Sequence, residues 1–581
     1  MLLLDSLAPD LILHNGVIYT MDAAAPRVEA IAVKAGRVLL TGASAELLPL
    51  AAAHTQVVDL HGQTVLPGIF DSHNHLMQVG VKLTRIRLDE CTSPQAMMEL
   101  VRERAKATPP GTWIVGEGWN ENNFTAADPP GRLPTRWDID PATDQHPVIL
   151  MRFFNTDVVN SVALRLAGIT RHTPAPEGGE IGHDAAGEPN GLLRAAAKLL
   201  VRALLPQPTL DELKTAVHLG CAEMNRHGIT SVVDPGLYPY EMAAYQAVYE
   251  EGRGARGGGR ISHLDAEAQR RRGGEGENTG ILPQSGLTVR MNVMPSWHGF
   301  REEETEAELE QRARAVGLVS GVGDEWLRLG GLKMAIDGGT SSHTAFMYEP
   351  FEGEATVGDF NRLDPATLRR HFRTAQELGW DVGIHTCGDR AMDMVVDAFA
   401  DVARAVPRPD ARHNVIHAYF PSDRALAQMA EHRIAAVIQP TFLYWEGDMI
   451  FRDVGERRAA NYKPARKYLD AGVMLCANSD IPSTVSPNPW VGLYALVTRK
   501  NNLGHFVAAD QAISRHEALH AYTAAGAWLT REEGSKGTLA PGMLADLVVI
   551  DRDYFAVADE EIKDIEVVMT VAGGKAVYGQ A

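Results

Sequence analysis

The middle of the chain alternates short, mostly apolar runs with longer amphipathic segments. Apolar and β-branched runs bounded by Gly, Pro or polar residues indicate buried strands, whereas 365–378 has the apolar spacing of a helix. The candidate strands are 68–73, 229–234, 287–294, 329–334, 381–385, 413–417, 434–439 and 473–477. Strands that alternate with helices predict an α/β fold with a parallel (β/α)8 barrel.

The two ends of the chain have a different pattern, in which short β-rich runs are separated by glycine turns. These runs are 10–16, 30–36, 55–60, 545–551 and 565–572. Neither end has enough strands to close a core alone, so we expect both to join in one small composite β-sandwich. We therefore predict a sandwich made from residues 1–66 and 530–581, and a barrel domain over 67–529.

Two stretches are longer than a minimal barrel requires. Residues 85–208 are too many for one helix and contain the strand-like runs 113–118 and 147–152, which predicts an inserted subdomain. Residues 251–286 are rich in Gly and Arg and lack aromatic side chains, which predicts a flexible excursion. Its basic run is short and has no interleaved aromatic residues, so nucleic-acid binding is not expected there.

Composition narrows the function classes. The formal net charge of -19 argues against nucleic acid or an anionic membrane as a partner, because either would require a basic face. No apolar stretch approaches the roughly 18 residues that span a bilayer, and we expect no signal peptide. The 4 cysteines are too scattered for a disulfide framework. We expect a cytoplasmic protein.

A His-x-His pair closes the first predicted barrel strand. Alternate residues of a strand point to the same face, so His73 and His75 are expected to project together. Two converging imidazoles form half of a zinc-type site, and active sites of such barrels lie at the carboxyl ends of the strands. The alternative is a loop that carries two solvated histidines.

Four more residues occupy comparable positions. His385 and His417 end consecutive predicted strands, although each alone is also typical of a satisfied buried histidine. Asp480 follows the last strand, where it either caps a turn or accepts a proton beside a metal. Lys333 lies in the fourth strand, where a buried lysine indicates catalysis or modification and an exposed one merely reaches solvent.

The ordered series resembles the amidohydrolase superfamily over nearly the whole chain. Its third branch, which includes N-substituted formamide deformylases, is similar to this sequence in several motifs, and the split sandwich matches the composite β-domain of the superfamily. The motifs lie at 65–75, 116–121, 132–135, 159–164, 384–389 and 478–482. The resemblance weakens at 152–156 and at His343, two places that are expected to face substrate, so the substrate of any one relative does not transfer directly.

The resemblance implies a centre of one or two divalent metal ions, most simply Zn²⁺. His73 and His75 would bind the first metal, and His385 and His417 would bind the second. Lys333, carboxylated on its amine, would bridge the two, while a mononuclear site stays open. Asp480 would bind the first metal and shuttle the proton.

The resemblance further implies a metal-dependent hydrolase that cleaves the non-peptide C–N bond of a small amide or N-substituted formamide. Five residues are expected to contact this small-molecule substrate: Trp119, Arg152, Trp297, His298 and His343. A homodimer is common in the family. The alternatives are a heterocyclic amine deaminase with a mononuclear site and, less favoured because all the ligands are present, a non-catalytic scaffold.

Overall fold

The structure, a computed structural model, describes residues 7–126, 129, 131–152, 156–256, 286–298, 306–358 and 363–579. Within these residues the chain forms two compact units. One is Gln78–Ala216, and the other combines the residues up to Met77 with those from Val217 onward. In the described part of the chain, no helix is long and apolar enough to cross a membrane.

The strands are β1 Leu11–His14, β2 Val17–Tyr19, β3 Arg27–Val28, β4 Ala30–Lys34, β5 Arg37–Gly42, β6 Gln56–Asp59, β7 Thr64–Pro67, β8 Ile69–Asp71, β9 Ile86–Arg87, β10 Ile114–Trp119, β11 Val148–Arg152, β12 Thr156–Val159, β13 Gly179–His183, β14 Pro189–Ala195, β15 Ile229–Leu237, β16 Arg290–His298, β17 Leu327–Leu329, β18 Leu332–Ala335, β19 Val382–Thr386, β20 Asn414–His417, β21 Ala435–Ile438, β22 Leu475–Ala477, β23 Leu547–Ile550, β24 Val567–Ala572 and β25 Lys575–Tyr578.

The α-helices are Ser44–Leu47, Leu76–Thr84, Pro94–Ala107, Arg136–Ile139, Ser161–Leu166, Leu199–Arg202, Leu210–Arg226, Pro239–Arg256, Glu306–Val316, Pro365–Glu377, Asp389–Ala405, Asp423–His432, Pro440–Ala459, Ala465–Asp470, Pro489–Thr498, Arg515–Ala521 and Ala524–Leu529. The helix Pro239–Arg256 includes the first residues of the predicted excursion 251–286. Residues 257–285 of that excursion lie outside the described residues.

The central sheet is a nearly closed parallel barrel. Its strand order is β8, β15, β16, β18, β19, β20, β21, β22, and β17 pairs with β16 beside this path. Hydrogen bonds from the backbone N and the side chain of Ser72 to the carbonyl of Ala477 connect the first and last strands. Each predicted strand overlaps a strand of this sheet, so the predicted barrel is confirmed. Every residue of β20, β21 and β22 is buried, as expected when helices cover a parallel sheet.

The two ends of the chain share a sandwich. One sheet has the order β5, β4, β1, β6, and the other has the order β25, β24, β23, β7, β2, β3. The second sheet joins both ends, because β7 pairs antiparallel with β23, with Val65 opposite Val549. Buried side chains of the two sheets, including Leu13, Ile31 and Leu547, form one core. The composite sandwich is therefore confirmed.

The unit Gln78–Ala216 contains a sheet of its own, with the order β13, β14, β12, β11, β10, β9. One face packs on a core that includes Trp119, Phe124 and Leu150. The other face packs on a core that includes Ile149 and Leu193. In the sequence this unit lies between β8 and β15, where an inserted subdomain is predicted over 85–208.

A buried ion pair joins the barrel to the C-terminal strands of the sandwich. Arg290 at the start of β16 donates to both carboxylate oxygens of Asp546, at 2.5 and 2.9 Å, and the two side chains are only 1% and 7% exposed. Asp546 also accepts the backbone N–H of Gly573 at 2.8 Å. The Arg290 guanidinium lies 4.2 Å from the centre of the Trp326 ring. The carboxylate therefore neutralises a cation that has no access to water.

We predict that Asp546→Ala lowers the free energy of unfolding by about 3–5 kcal/mol, because it leaves the Arg290 charge buried and uncompensated. Lys34→Ala is the matched control, since the Lys34–Asp10 pair is 28% and 48% exposed and should contribute less than about 1 kcal/mol. Urea unfolding followed by tryptophan fluorescence measures both changes. Equal effects of the two substitutions would contradict the assigned role of the buried pair.

Candidate metal centre

The carboxyl ends of the barrel strands bring the predicted ligands to one rim. His73 and His75 follow β8, and their segment pairs with the one that follows β22. The backbone N–H of Asp480 donates to the carbonyl of His73, and that of His75 donates to the carbonyl of Ile481, both at 2.9 Å. These two bonds hold the His-x-His segment against the aspartate that closes the barrel.

His73, His75 and Asp480 form the first donor group. Oδ1 of Asp480 lies 3.4 Å from Nε2 of His73 and 3.3 Å from Nε2 of His75. A tetrahedral zinc ion with nitrogen and oxygen ligands at roughly 2.05 Å separates its ligand atoms by about 3.4 Å. The spacing of these three donors therefore fits a metal ion.

His385 and His417 lie beside this group. Their ring centres are 4.2 Å apart, and the ring of His417 is 5.9 Å from that of His73. Cys387 joins them, because donor atoms of His385, Cys387 and His417 all lie within 4.8 Å of one another. The rim thus carries two adjacent donor groups, which is the arrangement that a binuclear centre requires.

Lys333 points into the same space from β18. It is 2% exposed, which excludes the interpretation that it reaches solvent. Burial lowers the pKa of Lys333 to about 8, although the negative charge of Asp480 opposes this shift. In turn, the charge of Lys333 contributes to the lowered pKa values of His73 and His417. The lysine is therefore electrostatically coupled to both donor groups.

The protonation states are those of metal ligands. Burial lowers the pKa of His73 to about 3, with help from Lys333 and against the hydrogen bond to Asp480. Burial also lowers the pKa of His417 well below its usual value. Burial would raise the pKa of Asp480, but its hydrogen bonds with His73 and His75 outweigh this and hold the pKa well below its usual range. Neutral imidazoles and an ionised carboxylate are the forms that bind metal.

Gln439 sets which nitrogen of His417 faces the centre. Its Oε1 lies 2.9 Å from Nδ1 of His417 and accepts a hydrogen bond from Nζ of Lys463 at 2.8 Å. The amide nitrogen of Gln439 donates to Oδ1 of Asn478 at 3.0 Å, and the amide nitrogen of Asn478 donates to the carbonyl of Ile438, so the Gln439 atom that faces His417 is the oxygen. Nδ1 of His417 must then carry the proton, which leaves Nε2 free to bind a metal.

Buried carboxylates support the ligands from below. Asp71 accepts hydrogen bonds from the side chains of Asn74 at 2.9 Å and Ser479 at 2.6 Å, and so ties together the two ligand-bearing segments. Asp234 places Oδ1 3.9 Å from Nδ1 of His75. Both of these atoms are buried and have no hydrogen-bond partner among the described residues. A carboxylate behind a ligating histidine is the usual outer layer of a zinc site.

His417 and Asp480 also have positive φ angles, of 74° and 55°. Left-handed backbone at a residue other than glycine costs on the order of 1–3 kcal/mol and is found at functional sites. Both residues with this backbone conformation are candidate metal ligands.

A sequence model described as "Amidohydrolase family" matches residues 56–578. The chain belongs to the amidohydrolase family. It is 28% identical over 577 residues to the N-substituted formamide deformylase of Arthrobacter pascens, with 97% of each chain covered. It is also 28% identical to the protein LONG AFTER FAR-RED 3 of Arabidopsis thaliana, over 98% of this chain and 91% of that one.

Solved structures agree with the family assignment. An uncharacterized metal-dependent hydrolase from Pyrococcus furiosus superposes with a TM-score of 0.72 at 26% identity, over 94% of this chain and 99% of that chain. Together with the two donor groups, these similarities identify the protein as a metal-dependent hydrolase of the class that acts on C–N bonds.

The residues predicted to contact substrate have different surroundings from one another in this amidohydrolase. Trp119 is completely buried in the core of its unit, and its indole N–H donates to the carbonyl of Leu150 at 2.9 Å. Its large apolar ring therefore serves packing, which corrects the expectation of a pocket wall. Arg152 is partly exposed and forms a two-bond ion pair with Glu121, at 2.7 and 2.8 Å.

Trp297 and His343, which are also predicted to contact substrate, have partners within the protein. Trp297 is buried and donates from its indole to Nδ1 of His371 at 3.2 Å, which turns its polar edge toward the helix Pro365–Glu377. His343 stacks on Phe351 and places Nδ1 2.8 Å from the carboxylate of Glu354. The side chain of His298 lies outside the described residues.

Sequence reasoning did not assign Cys387, Gln439, Asp71 or Asp234. The missed signal is their position, because each lies in or just beyond the last residues of a barrel strand, as the assigned ligands do. Cys387 stands in a His-x-Cys arrangement that parallels His73-x-His75. A systematic survey of strand ends would have found them all.

We predict that Gln439→Leu lowers the affinity of this amidohydrolase for metal by about 10–100-fold, since His417 loses the acceptor that orients it. Gln439→Glu, which keeps an oxygen for both His417 and Lys463, should retain most of the affinity. Gln376→Leu is the control, because Gln376 accepts from the buried His413 at the opposite end of β20. Chelator competition measures the affinities, and equal losses in Gln439→Leu and Gln376→Leu would refute the orienting role.

Proposed function

We propose that the protein hydrolyses the non-peptide C–N bond of a small amide or N-substituted formamide. The observation that carries this proposal is the pair of adjacent donor groups, the first with His73, His75 and Asp480 and the second with His385 and His417, to which the buried Lys333 is electrostatically coupled. The similarity to the N-substituted formamide deformylase over nearly the full length of both chains supports the formamide as substrate class. The overall reaction converts an amide and water into a carboxylic acid and an amine.

Zn²⁺ fits the donor set best, because imidazole nitrogens and a carboxylate at this spacing are typical of zinc. When bound, the metal supplies a water acidic enough to act as hydroxide near neutral pH and polarises the substrate carbonyl. Asp480 lies 3.4 and 3.3 Å from Nε2 of His73 and His75, so it would stand next to any metal that these histidines hold. Its carboxylate accepts the proton of the attacking water and then delivers it to the departing nitrogen.

Lys333 would act as a carboxylated bridge between the two donor groups. A buried ammonium beside neutral histidines is unfavourable, whereas a carbamate is anionic and offers oxygen ligands. Carboxylation adds CO₂ to the neutral amine and releases one proton to solvent, and the lowered pKa of Lys333, about 8, makes the neutral amine accessible near neutral pH. Removal of one positive charge and gain of one negative charge would also favour two divalent ions at the rim.

We predict that the zinc-loaded protein releases an amine and formate from at least one N-substituted formamide in a panel that includes acetamides, lactams and heterocyclic amines. Asp480→Asn should lower kcat by about 10²–10⁴-fold with metal content largely retained. Asp381→Asn, at the start of β19 on the opposite rim, is the control and should keep the activity. An active Asp480→Asn enzyme would remove the shuttle role, and a protein that only deaminates heterocycles would overturn the substrate class.

We predict that Lys333→Ala binds one metal fewer than the wild type and loses at least about 100-fold in kcat/KM, which corresponds to about 2.7 kcal/mol. Added formate or acetate should restore part of the activity, because a free carboxylate can replace the missing bridge. Elemental analysis and steady-state kinetics measure the two effects. Activity near the wild-type level would instead favour the mononuclear deaminase.

A further inference from the structure

Cys387 lies inside the second donor group. It is the second residue after His385 and the first residue after β19, and it is 2% exposed. Its Sγ lies 3.5 Å from Nε2 of His385, and a donor atom of His417 completes a set within 4.8 Å. Among the described residues, no other cysteine belongs to such a group of potential ligands.

The distance between Sγ of Cys387 and Nε2 of His385 can be compared with the distance between two ligand atoms of a zinc ion. A tetrahedral zinc ion with nitrogen at about 2.1 Å and thiolate sulfur at about 2.3 Å separates these two ligand atoms by about 3.6 Å. The distance from Cys387 to His385 agrees with this value, as the distances of the first group agree with the nitrogen–oxygen edge. A thiol–imidazole hydrogen bond would have a similar length, so an experiment must separate the two cases.

The backbone aims the thiol at the histidines. Asp337 accepts the backbone N–H groups of Cys387 at 3.0 Å and Gly388 at 2.7 Å, and it is itself completely surrounded by protein. Gly388 has no room for a side chain, since a Cβ there would lie 1.9 Å from the carbonyl oxygen of Phe346. The segment after β19 is therefore held in one conformation, in which Sγ faces His385.

We propose that Cys387 binds, as a thiolate, the metal ion held by His385 and His417. This inference rests on the metal centre of the proposed function and adds a sulfur ligand to its second site. On binding, the S–H bond breaks, the sulfur lone pair forms the bond to the metal, and the proton leaves to solvent. A coordinated thiol is deprotonated outright even in a buried place, because the cation supplies the compensating charge.

A sulfur ligand changes which metals the second site accepts. Thiolate is a soft donor that favours zinc and cobalt, whereas carboxylate and water favour magnesium and manganese. The first site, with two imidazoles and a carboxylate, has no such donor. The two sites should therefore differ in selectivity, and the second should discriminate more strongly in favour of zinc over magnesium and manganese.

Cobalt substitution tests the proposal directly. Full-length protein loaded with Co²⁺ should show the near-ultraviolet thiolate-to-cobalt charge-transfer band. Cys387→Ser should lack the band, retain cobalt at the first site and bind Zn²⁺ at the second site more than about 100-fold more weakly, beyond what outer-layer changes cost. Cys476→Ser, which alters another buried cysteine, is the control and should keep the band.

The experiments distinguish failure of the sulfur ligand from failure of the metal centre as a whole. A cobalt-loaded wild type without the band, or a band that persists in Cys387→Ser, overturns the sulfur ligand while the metal centre stands. A wild type that binds no divalent ion overturns the centre and the proposal together. Zinc X-ray absorption of the wild type is independent of any variant: sulfur at about 2.3 Å supports the proposal, and nitrogen and oxygen neighbours alone refute it.

Discussion

Neutral imidazoles and one carboxylate, crowded together away from water, are the constraint on which the rest of the structure depends. His73, His417 and Asp480 are each at most 5% exposed. Such groups lose their hydration, and the loss is offset only by partners that satisfy their polar atoms. Hydrogen bonds provide some of these partners, including those between Asp480 and the two histidines of the first group. A divalent cation bound between the ligand atoms would satisfy the lone pairs that remain.

Residues that hydrogen-bond to the candidate ligands, or to the segments that carry them, fix the geometry of the site. Asp71 joins the segments after the first and last barrel strands, and Gln439 fixes the proton of His417 on the side away from the centre. Each contact removes a freedom of rotation that a ligand would otherwise have. The barrel itself is tied to the sandwich through the buried Arg290–Asp546 pair.

The two donor groups are chemically unequal. The first consists of two histidines and an aspartate, while the second has Cys387 beside its histidines, and Lys333 is coupled to both. This difference suits a reaction in which one donor group holds the metal that activates water and the other holds a metal that stabilises negative charge. It also gives each site its own preference among metals.

The periodicity of the sequence was enough to predict the barrel and the composite sandwich, because alternation and burial act over a few residues. It was likewise enough to single out His73, His75, His385, His417, Lys333 and Asp480, since the carboxyl ends of parallel strands must meet at one rim. That Trp119 lies in a core could not be read from the sequence, because an aromatic side chain looks the same in a sequence whether it packs in a core or lines a pocket.

The tertiary structure alone decided the layer around the ligands. That Asp234 stands behind His75, that Asn478 orients Gln439, and that the sulfur of Cys387 reaches His385 depend on distances between residues far apart in the chain. No local pattern encodes such distances, because they follow from how strands and loops close around a shared interior. The sequence by itself indicated the four histidines, the lysine and the aspartate of the rim, and the folded chain added the sulfur of Cys387 and determined how these groups are oriented.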